Sequence, residues 1–309
     1  MNETYEYIRS GGAGFYEMPR GLIAAWGKEA VQFLNGMITN DAAKLEDGLQ
    51  MIAAFPNAQG RLLAVVRVLR CGDRFLFETE EATHETLHSN LFRFTFAGDF
   101  FVEDLSPDHT YFEVFGPRED VYNANVGEKF PGGLALESPA GAAYFVPISS
   151  AEKFRNFLTV ENECRKIPAD VYEILRIEAG IPKCGVDMDE TTIVPELGLE
   201  DLISYNKGCY VGQEIIARIH FRGHVAKQLT GVVLSEPPAV AGGSSHEEAE
   251  LTLMSQDGKN AGRITSFTFS PKLEKTIALA YVRYDYLAAG TELKLGDAVA
   301  TVTPLPFVG

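Results

Sequence analysis

Lys207-Gly208-Cys209-Tyr210-Val211-Gly212-Gln213-Glu214 places two glycines, a thiol, a phenol, an ammonium, an amide and a carboxylate within eight consecutive positions. Packing alone rarely requires such a mixture. Glycine lets a backbone approach a ligand closely, and a lysine near a cysteine favours the reactive thiolate over the thiol. The next segment, 215–223, alternates apolar and polar residues in its second half, which predicts a strand. We therefore expect Cys209 to lie on a loop at the mouth of a strand, where functional sites are commonly built.

The composition is that of a globular protein with an acidic surface. The chain has 309 residues, 46% of them hydrophobic and 23% charged, so two or three domains are expected. A net charge of −16 argues against direct binding of nucleic acid, whose backbone requires clustered lysine and arginine. No apolar run approaches the roughly 20 residues of a transmembrane helix, and no signal peptide is visible. We expect a cytoplasmic protein that does not bind membranes.

The cysteines stand at positions 71, 164, 184 and 209 and form no Cys-x-x-Cys pair. Neither a zinc ribbon nor a self-contained iron–sulfur site is therefore expected, and we predict no metal site. Free thiols in a reducing compartment are the simplest interpretation, with the first three cysteines as packing residues. His220 and His224 are four residues apart, but a strand would not present them as a metal pair, so we expect them at the surface or a pocket edge.

Periodicity divides the chain into two α+β regions followed by a β region. The first region is predicted to contain helices at 27–37 and 80–94 and strands at 14–26, 50–55, 61–70, 75–79 and 100–105. The second is predicted to contain strands at 111–115 and 142–148, a loop at 131–143, and helices after Pro117, at 150–160 and at 168–180. From residue 228 onward, six short strands imply an all-β barrel or sandwich, interrupted by a flexible insertion at 235–249.

Several segments resemble the motifs of one protein family. The octapeptide 207–214 is similar to the Lys-Gly-Cys-Tyr-x-Gly-Gln-Glu signature of YgfZ-type folate-binding proteins, relatives of the glycine-cleavage T-protein, an aminomethyltransferase. Residues 33–41 resemble the FLxGxxTND stretch of that superfamily, and 175–180 with 185–190 resemble its LRxEAG…GxDMDE stretch. The C-terminal domain of that superfamily has stretches similar to residues 262–266, Ser270-Pro271, 277–282 and 305–307. These matches extend over nearly the whole chain.

The resemblance implies an α+β fold, a three-domain cloverleaf of two ferredoxin-like α+β units with a C-terminal antiparallel β-barrel. It implies a discontinuous first α+β domain at 1–48 and 107–222, a second at 49–106, and the barrel at 223–309. It also implies that tetrahydrofolate, or a one-carbon derivative, binds in the central channel between the domains.

Glu178 is the residue to which the resemblance assigns the pterin ring, since one carboxylate can accept two N–H donors. Periodicity alone favours a solvent-facing carboxylate there. Tyr172 is expected either to line the same pocket or to be a core tyrosine. Further folate contacts are expected from the octapeptide and the basic segment after it, at Lys207, Tyr210, Gln213, Glu214, Arg218 and Arg222. The two arginines, together with Lys227, either receive an anionic folate tail or are simply solvated.

Cys209 is the residue that we expect to carry chemistry. Its polar, glycine-flanked position argues against a buried structural thiol. It could act as a nucleophile, a redox thiol or one ligand of a cluster shared with a partner, and the resemblance does not choose among these. The resemblance implies a protein that supports maturation or repair of iron–sulfur enzymes, including ones that modify tRNA, and such client proteins would be its partners.

A folate-dependent aminomethyltransferase of the glycine cleavage system is the alternative. In those enzymes an aspartate pair, one member of it catalytic, follows the glycine that corresponds to Gly60. Leu63 and Ala64 stand at those places here. A leucine cannot exchange a proton with the substrate nitrogen, so transfer chemistry is disfavoured while pterin binding is unaffected. Whether the protein is an enzyme stays open. A third class, an interaction scaffold with a vestigial pocket, would have no folate affinity.

Overall fold

The computed structural model describes residues 2–116, 125–199, 201–238 and 251–308. The chain divides into two compact units. We call Asn2–Ala169 with Leu199–Ala217 the sheet unit, and Asp170–Gly198 with Arg218–Gly309 the barrel unit. Within the described ranges, no helix is long and apolar enough to cross a membrane. The predicted helix after Pro117 and most of the predicted insertion at 235–249 lie outside the described residues.

The described elements follow one another in a simple order. They begin with α1 (Glu3–Arg9), β1 (Gly14–Met18), β2 (Arg20–Trp26), α2 (Ala30–Met37), β3 (Gln50–Pro56), β4 (Leu62–Cys71), β5 (Arg74–Glu80), α3 (Glu81–Phe92) and β6 (Phe101–Asp104). Next come β7 (His109–Phe115), α4 (Val126–Lys129), β8 (Leu134–Ser138), β9 (Gly141–Pro147), α5 (Ile148–Asn156) and β10 (Arg165–Lys166). The last are α6 (Ala169–Glu178), α7 (Gln213–Arg222), β11 (Lys227–Leu234), β12 (Thr252–Met254), β13 (Asn260–Ser270), β14 (Lys275–Arg283), β15 (Glu292–Leu295) and β16 (Ala298–Thr303).

The sheet unit contains two five-stranded sheets. One has the order β10-β1-β7-β9-β8 and is antiparallel except for the β10–β1 pair. The other is antiparallel throughout, in the order β3-β4-β5-β2-β6, so that β2 joins the strands of the 49–106 segment. Alternate residues of β4 share a core with α2 and α3, because successive side chains of a strand point to opposite faces.

A second core lies between the two sheets and includes a buried ion cluster. Arg67 Nε donates to Glu78 Oε2 at 2.9 Å and its Nη2 donates to Tyr111 Oη at 2.7 Å. Arg20 lies 3.2 Å from the other carboxylate oxygen of Glu78. Burial by itself would raise the pKa of Glu78, but the two arginines hold that pKa below its ordinary value. The carboxylate therefore stays ionised, and the cluster joins β4 and β5 to β7.

The barrel unit is built on a closed barrel of the strands β11-β14-β13-β12-β15-β16. The ring closes because β16 pairs with both β15 and β11. Inward-facing aliphatic side chains fill it, in agreement with the two-residue period of each strand. Helix α6 packs on these strands through Ile177, which shares a core with Leu229, Leu279 and Tyr281.

An α+β chain with two sheets and a C-terminal antiparallel β-barrel is thus confirmed. Two local predictions are wrong. The predicted loop at 131–143 contains strand β8, which pairs with β9 over its whole length. The predicted strand at 215–223 is helix α7, from Gln213 to Arg222. Its first turn carries the acidic Glu214 and its last turn the basic His220 and Arg222, a charge order that favours a helix.

Candidate functional site

The octapeptide forms a loop and the first turn of α7, and it is fastened to the segment that ends α2. Lys207 Nζ donates to the carbonyl oxygens of Ile38 at 2.8 Å and Asn40 at 2.6 Å. The Val211 amide donates to the Gly36 carbonyl at 3.0 Å. The two motifs, far apart in sequence, therefore form one structure, in which the earlier motif supports the loop.

The chain just before the octapeptide is held by the same segment. Thr39 Oγ1 donates to the carbonyl of Leu202 at 2.6 Å and accepts from the Ala54 amide at 2.9 Å. Asn40 Nδ2 donates to the Asp201 carbonyl at 2.7 Å. Thr39 is fully buried, so its hydroxyl satisfies backbone groups that water cannot reach. These bonds explain why a threonine and an asparagine stand at these positions.

Two glycines meet at the base of α7. Gly212 has a φ of +78°, and a Cβ there would lie 2.5 Å from the Asn57 carbonyl oxygen and 3.1 Å from the Gly60 Cα. Gly60 also has a positive φ, of +70°, and faces Ile215 and Ile216. Only glycine combines this conformation with so close an approach. The turn between β3 and β4 thus fixes the position at which α7 begins.

Lys207 lies in a half-buried place with an unusual charge balance. Burial lowers the pKa of its ammonium to about 8, and Asp41 opposes this shift. Its Nζ also lies 5.1 Å from the centre of the Tyr210 ring. Because two of its hydrogen bonds go to main-chain carbonyls, Lys207 holds the loop in place. The sequence had suggested that it activates the thiol, and this remains a prediction.

Cys209 is the exposed cysteine of the four, whereas Cys164 is buried and Cys71 and Cys184 are half-buried. The predicted loop at Cys209 is confirmed, but a helix follows it where a strand was predicted. Next to it, Tyr210 is buried, and this burial raises the pKa of its hydroxyl to about 12. The thiol is therefore open to solvent on a loop that the Lys207 ammonium and the Val211 amide anchor on its two sides.

The remaining predicted site residues near the octapeptide are on α7. Gln213 Nε2 donates to the Gly208 carbonyl at 3.4 Å, across the loop that carries Cys209. Glu214, Arg218 and Arg222 are exposed. The two histidines of this region, at positions 220 and 224, are exposed as predicted, and the second stacks on Tyr284 with ring centres 3.6 Å apart. No cluster of metal-binding side chains occurs among the described residues.

Glu178 and Tyr172 belong to α6 in the barrel unit. Both are buried, so the solvent-facing carboxylate favoured by periodicity is wrong. Ser270 Oγ donates to Glu178 Oε1, and the Glu178 carbonyl accepts from the Phe307 and Val308 amides at 2.9 and 3.1 Å. A carboxylate enclosed in this way is available for a directional hydrogen bond, because water does not compete for it. Its role toward a pterin ring stays a prediction.

Sequence reasoning missed the residues that hold the DMDE segment to the barrel. Arg176 Nη1 lies 2.8 Å from Asp187 Oδ2, and both side chains are almost fully buried. Asp187 also accepts from the Ser266 hydroxyl at 2.6 Å and from the Lys183 amide at 2.9 Å. Burial by itself would lower the pKa of Arg176, but the negative charge of Asp187 helps to hold that pKa above its ordinary value. Arg176 belongs to the LRxEAG stretch and Asp187 to the DMDE stretch, and this was the only signal in the sequence that could have indicated the pair.

Comparison with known proteins gives several related matches. Residues 227–308 match the family of the glycine cleavage T-protein C-terminal barrel domain. The tRNA-modifying protein YgfZ of Escherichia coli O157:H7 is 26% identical over 307 residues, covering 93% of this chain and 90% of that protein. An aminomethyltransferase of Thermoanaerobacter pseudethanolicus is 23% identical over 318 residues, covering 94% and 83%.

A mitochondrial iron–sulfur cluster assembly factor IBA57 homolog of Mycosarcoma maydis is 26% identical over 226 residues, or 68% of this chain. The match covers 54% of that relative, so the chain spans about half of its length. The crystal structure of aminomethyltransferase T of the glycine cleavage system from Bartonella henselae superposes with a TM-score of 0.85. It covers 99% of this chain and 89% of that chain at 21% identity, which establishes the shared fold.

The chain belongs to the superfamily of glycine cleavage T-proteins and YgfZ proteins. The motifs that carried the resemblance have distinct structural roles. The TND segment supports the cysteine loop, and the LRxEAG and DMDE segments join through the Arg176–Asp187 pair. The similar proteins divide between YgfZ and IBA57 on one side and aminomethyltransferases on the other.

Proposed function

We propose that the protein is a cytoplasmic tetrahydrofolate-binding protein that supports maturation or repair of iron–sulfur enzymes, including ones that modify tRNA. Cys209 is its functional thiol. One observation carries the proposal: Cys209 is solvent-exposed on a firmly held loop. The Lys207 ammonium and the Val211 amide donate hydrogen bonds to main-chain carbonyls, and Gly212 packs closely on the β3–β4 turn. A loop anchored on both sides of an exposed thiol suits presentation of that thiol to another molecule.

The ligand in this proposal is tetrahydrofolate or a one-carbon derivative. Glu178 anchors the pterin ring, and Tyr172 lines the pocket. The octapeptide contributes contacts through Lys207, Tyr210, Gln213 and Glu214, and the exposed Arg218 and Arg222 receive the glutamate tail. The proposal includes a three-domain cloverleaf with domains at 1–48 and 107–222, 49–106 and 223–309. Superfamily membership supports these assignments.

Titration calorimetry with tetrahydrofolate tests the ligand. We expect wild type to bind and Glu178→Ala to bind at least about tenfold more weakly, because a bidentate charge-assisted pair is lost. Glu190→Ala, which changes an exposed carboxylate of the same unit, is the matched control and should bind as wild type does. Circular dichroism checks that Glu178→Ala is folded. Glu178→Gln removes the charge while it keeps the size of the side chain, and it should also bind more weakly than wild type. Absence of folate binding by the wild type would leave an interaction scaffold as the better account.

Complementation in cells tests the thiol. Cys209→Ser should abolish support of iron–sulfur enzyme activity while tetrahydrofolate still binds, because the hydroxyl lacks the nucleophilicity and metal affinity of a thiolate. Cys71→Ser, at a half-buried cysteine of the same unit, should retain support. Equal activity of iron–sulfur enzymes in cells with Cys209→Ser and with wild type would refute the assigned role. Capture of bound proteins at endogenous expression would identify the clients.

A folate-dependent aminomethyltransferase is the second candidate, since aminomethyltransferases match over 94% of the chain. Against it, strand β4 (LLAVVRVLRC) carries no carboxylate at any position, so the residues after Gly60 supply no acid or base of that kind. The deciding assay measures methylene-tetrahydrofolate formed from an aminomethylated lipoyl carrier protein. We expect no turnover above background, and robust turnover would favour the enzyme.

A further inference from the structure

A cleft of about 670 Å³ in the sheet unit is lined by α3, by the end of α2 and by the turn between β3 and β4. We call it the α3 cleft. Its apolar floor is formed by Met37, Phe55, Leu63 and Phe94, of which the first two are buried. A cavity of several hundred Å³ that combines an apolar floor with polar side chains on one wall is typical of small-molecule sites. None of the residues predicted to contact folate lines it.

The polar wall of the cleft has charges of opposite sign at its two ends. Glu85, Ser89 and Arg93 lie on one face of the helix, because they are spaced four residues apart. Eight residues at about 1.5 Å each separate the Cα atoms of Glu85 and Arg93 by about 12 Å along the helix. Glu85 accepts from the Ser89 hydroxyl at 3.4 Å. The side chains of Arg93 and Asn90 make no hydrogen bond or ion pair with any residue that the structure describes.

Arg93 is exposed, and its guanidinium has no carboxylate partner among the described residues, so it is free to pair with a ligand in the cleft. Its five N–H donors match the geometry of a carboxylate or sulfonate. Since Arg93 is the sole cation among the residues that line the described cleft, one negative charge is the complement. A nucleotide triphosphate would bring several charges to a single cation, so a polyphosphate ligand is disfavoured.

The opposite wall of the cleft is the cysteine loop itself. Val211 lines the cleft, is 43% exposed, and is tied by its amide to Gly36. Asn57, which also lines the cleft, has the carbonyl that Gly212 approaches. Val211 is two residues from Cys209, so their Cα atoms are at most about 7 Å apart. A ligand in the cleft would therefore touch the loop that presents the thiol.

We propose that the α3 cleft binds a small amphiphilic anion, with an aromatic or aliphatic body on the apolar floor and one carboxylate or sulfonate paired with Arg93. Asn90 supplies a hydrogen bond next to that pair. Occupation obstructs the approach of reagents to Cys209 and slows its reactions. None of the proposed folate contacts lines this site, although Val211 belongs to the same loop, and the proposal does not depend on folate binding.

Fluorescence titration with 1-anilinonaphthalene-8-sulfonate, an aromatic body with one sulfonate, is the primary test. We expect one saturable site, about tenfold weaker binding by Arg93→Gln, and loss of binding by Ser89→Trp, which fills the cleft from an exposed helix position. Arg74→Gln makes the same charge change at a half-buried arginine of the sheet unit that does not line the cleft, and should bind as wild type does. Equal affinity of all four proteins would overturn the proposal.

A matched pair of competitors tests the sign of the charge. 4-Phenylbutyrate and 4-phenylbutylamine have the same apolar body, and the carboxylate should displace the dye at a concentration about tenfold lower. Displacement that is equal, or better with the amine, would contradict the role of Arg93. Both compounds are readily soluble, so each outcome can be measured directly.

The last measurement links the cleft to the thiol. Saturating 4-phenylbutyrate should slow alkylation of Cys209 by iodoacetamide at least about threefold in wild type and not in Ser89→Trp, because a ligand held against Val211 obstructs the approach of the reagent to the thiol two residues away. An unchanged rate in wild type would overturn the link. Tetrahydrofolate affinity of Ser89→Trp is measured in parallel and should equal that of wild type, so that failure of the folate proposal is seen separately.

Discussion

Gly212 and Gly60 bring two backbones into van der Waals contact at the start of α7. The left-handed conformation of Gly212, with a φ of +78°, turns the chain from the cysteine loop into the helix. Any side chain there would collide with the main chain of the β3–β4 turn, which cannot move as a flexible side chain can. The position of Cys209 therefore depends on the absence of a Cβ three residues later.

Gly212→Ala should destabilise the protein by at least about 2 kcal/mol, since it adds both backbone strain and a clash. Gly208→Ala is the matched control, because a Cβ at Gly208 meets nothing within 4 Å. Urea denaturation of both variants measures the difference in the free energy of unfolding. A loss of stability in Gly212→Ala no larger than in Gly208→Ala would contradict the close approach.

Lys207 contributes a dependence of stability on pH. The pKa of Lys207 is about 8 in the folded protein, against an ordinary value of 10.5. Between these values the unfolded chain binds more protons than the folded protein, so folding becomes more favourable as pH rises. Below pH 8 the free energy of unfolding is lowered by the full cost of burying the charged ammonium, and above about pH 10.5 this cost is absent.

The free energy of unfolding of wild type, minus that of Lys207→Met, should therefore rise between pH 8 and pH 10. Denaturant titrations at half-unit intervals of pH give this difference. Lys153→Met removes an exposed lysine of the same unit, and its difference should stay constant over the same range. A flat profile for Lys207→Met would mean that the ammonium is solvated.

At the scale of elements, α6 is joined to the barrel by charge as well as by apolar packing. The Arg176–Asp187 pair connects the helix to the turn after it, and the Ser266 hydroxyl adds strand β13 to the same cluster. Every oxygen of the Asp187 carboxylate has a partner, which is the condition under which a buried ion pair is tolerated. The helix that carries Glu178 is thereby fixed in orientation.

Asp187→Ala should cost about 3 kcal/mol of stability, because it removes the buried counter-ion of Arg176 and leaves only the partly exposed Glu173 beside that guanidinium. Asp189→Ala, two residues away, removes an exposed carboxylate that bonds only to Thr191 among the bonds described, and should cost about 1 kcal/mol or less. Thermal and urea unfolding followed by circular dichroism compare the two. Similar stabilities of the two variants would show that the buried pair does not hold α6.

For the whole molecule, the net charge of −16 governs encounters with other macromolecules. Arg218 and Arg222, the basic residues of α7, are exposed, but two cations form only a small basic surface. A polyanion would meet a repulsive field over most of the surface, whereas a cationic partner would be attracted. A role in tRNA modification would therefore proceed through client enzymes and not through direct contact with RNA.

Fluorescence anisotropy with labelled tRNA should show no saturable binding at about 0.15 M salt and protein concentrations up to about 10 µM. The charge-reversed probe, a labelled oligolysine peptide, should bind more tightly as salt is lowered, which controls for protein activity in the assay. Saturable tRNA binding at physiological salt would require a local basic surface and would refute the prediction.

The sequence by itself determined the order of most helices and strands, the C-terminal barrel and the superfamily, because hydrophobic periodicity and motif spacing are local properties. It failed at α7, where Ile215, Ile216 and Ile219 fit a helix as well as a strand until Gly212 and Gly60 fix the start of the helix. The exposed loop at Cys209 followed from its glycines and polar neighbours.

Only the tertiary structure decided where Lys207 donates, how Glu178 is enclosed and that the α3 cleft exists. Lys207 reaches the carbonyl of Ile38, 169 residues away, and Glu178 meets Ser270, 92 residues away. Burial and hydrogen-bond partners are set by such distant contacts, which no local pattern encodes. The residues proposed to carry function were thus visible in the sequence, while their hydrogen bonds and burial depend on packing between segments that come together only in the folded chain.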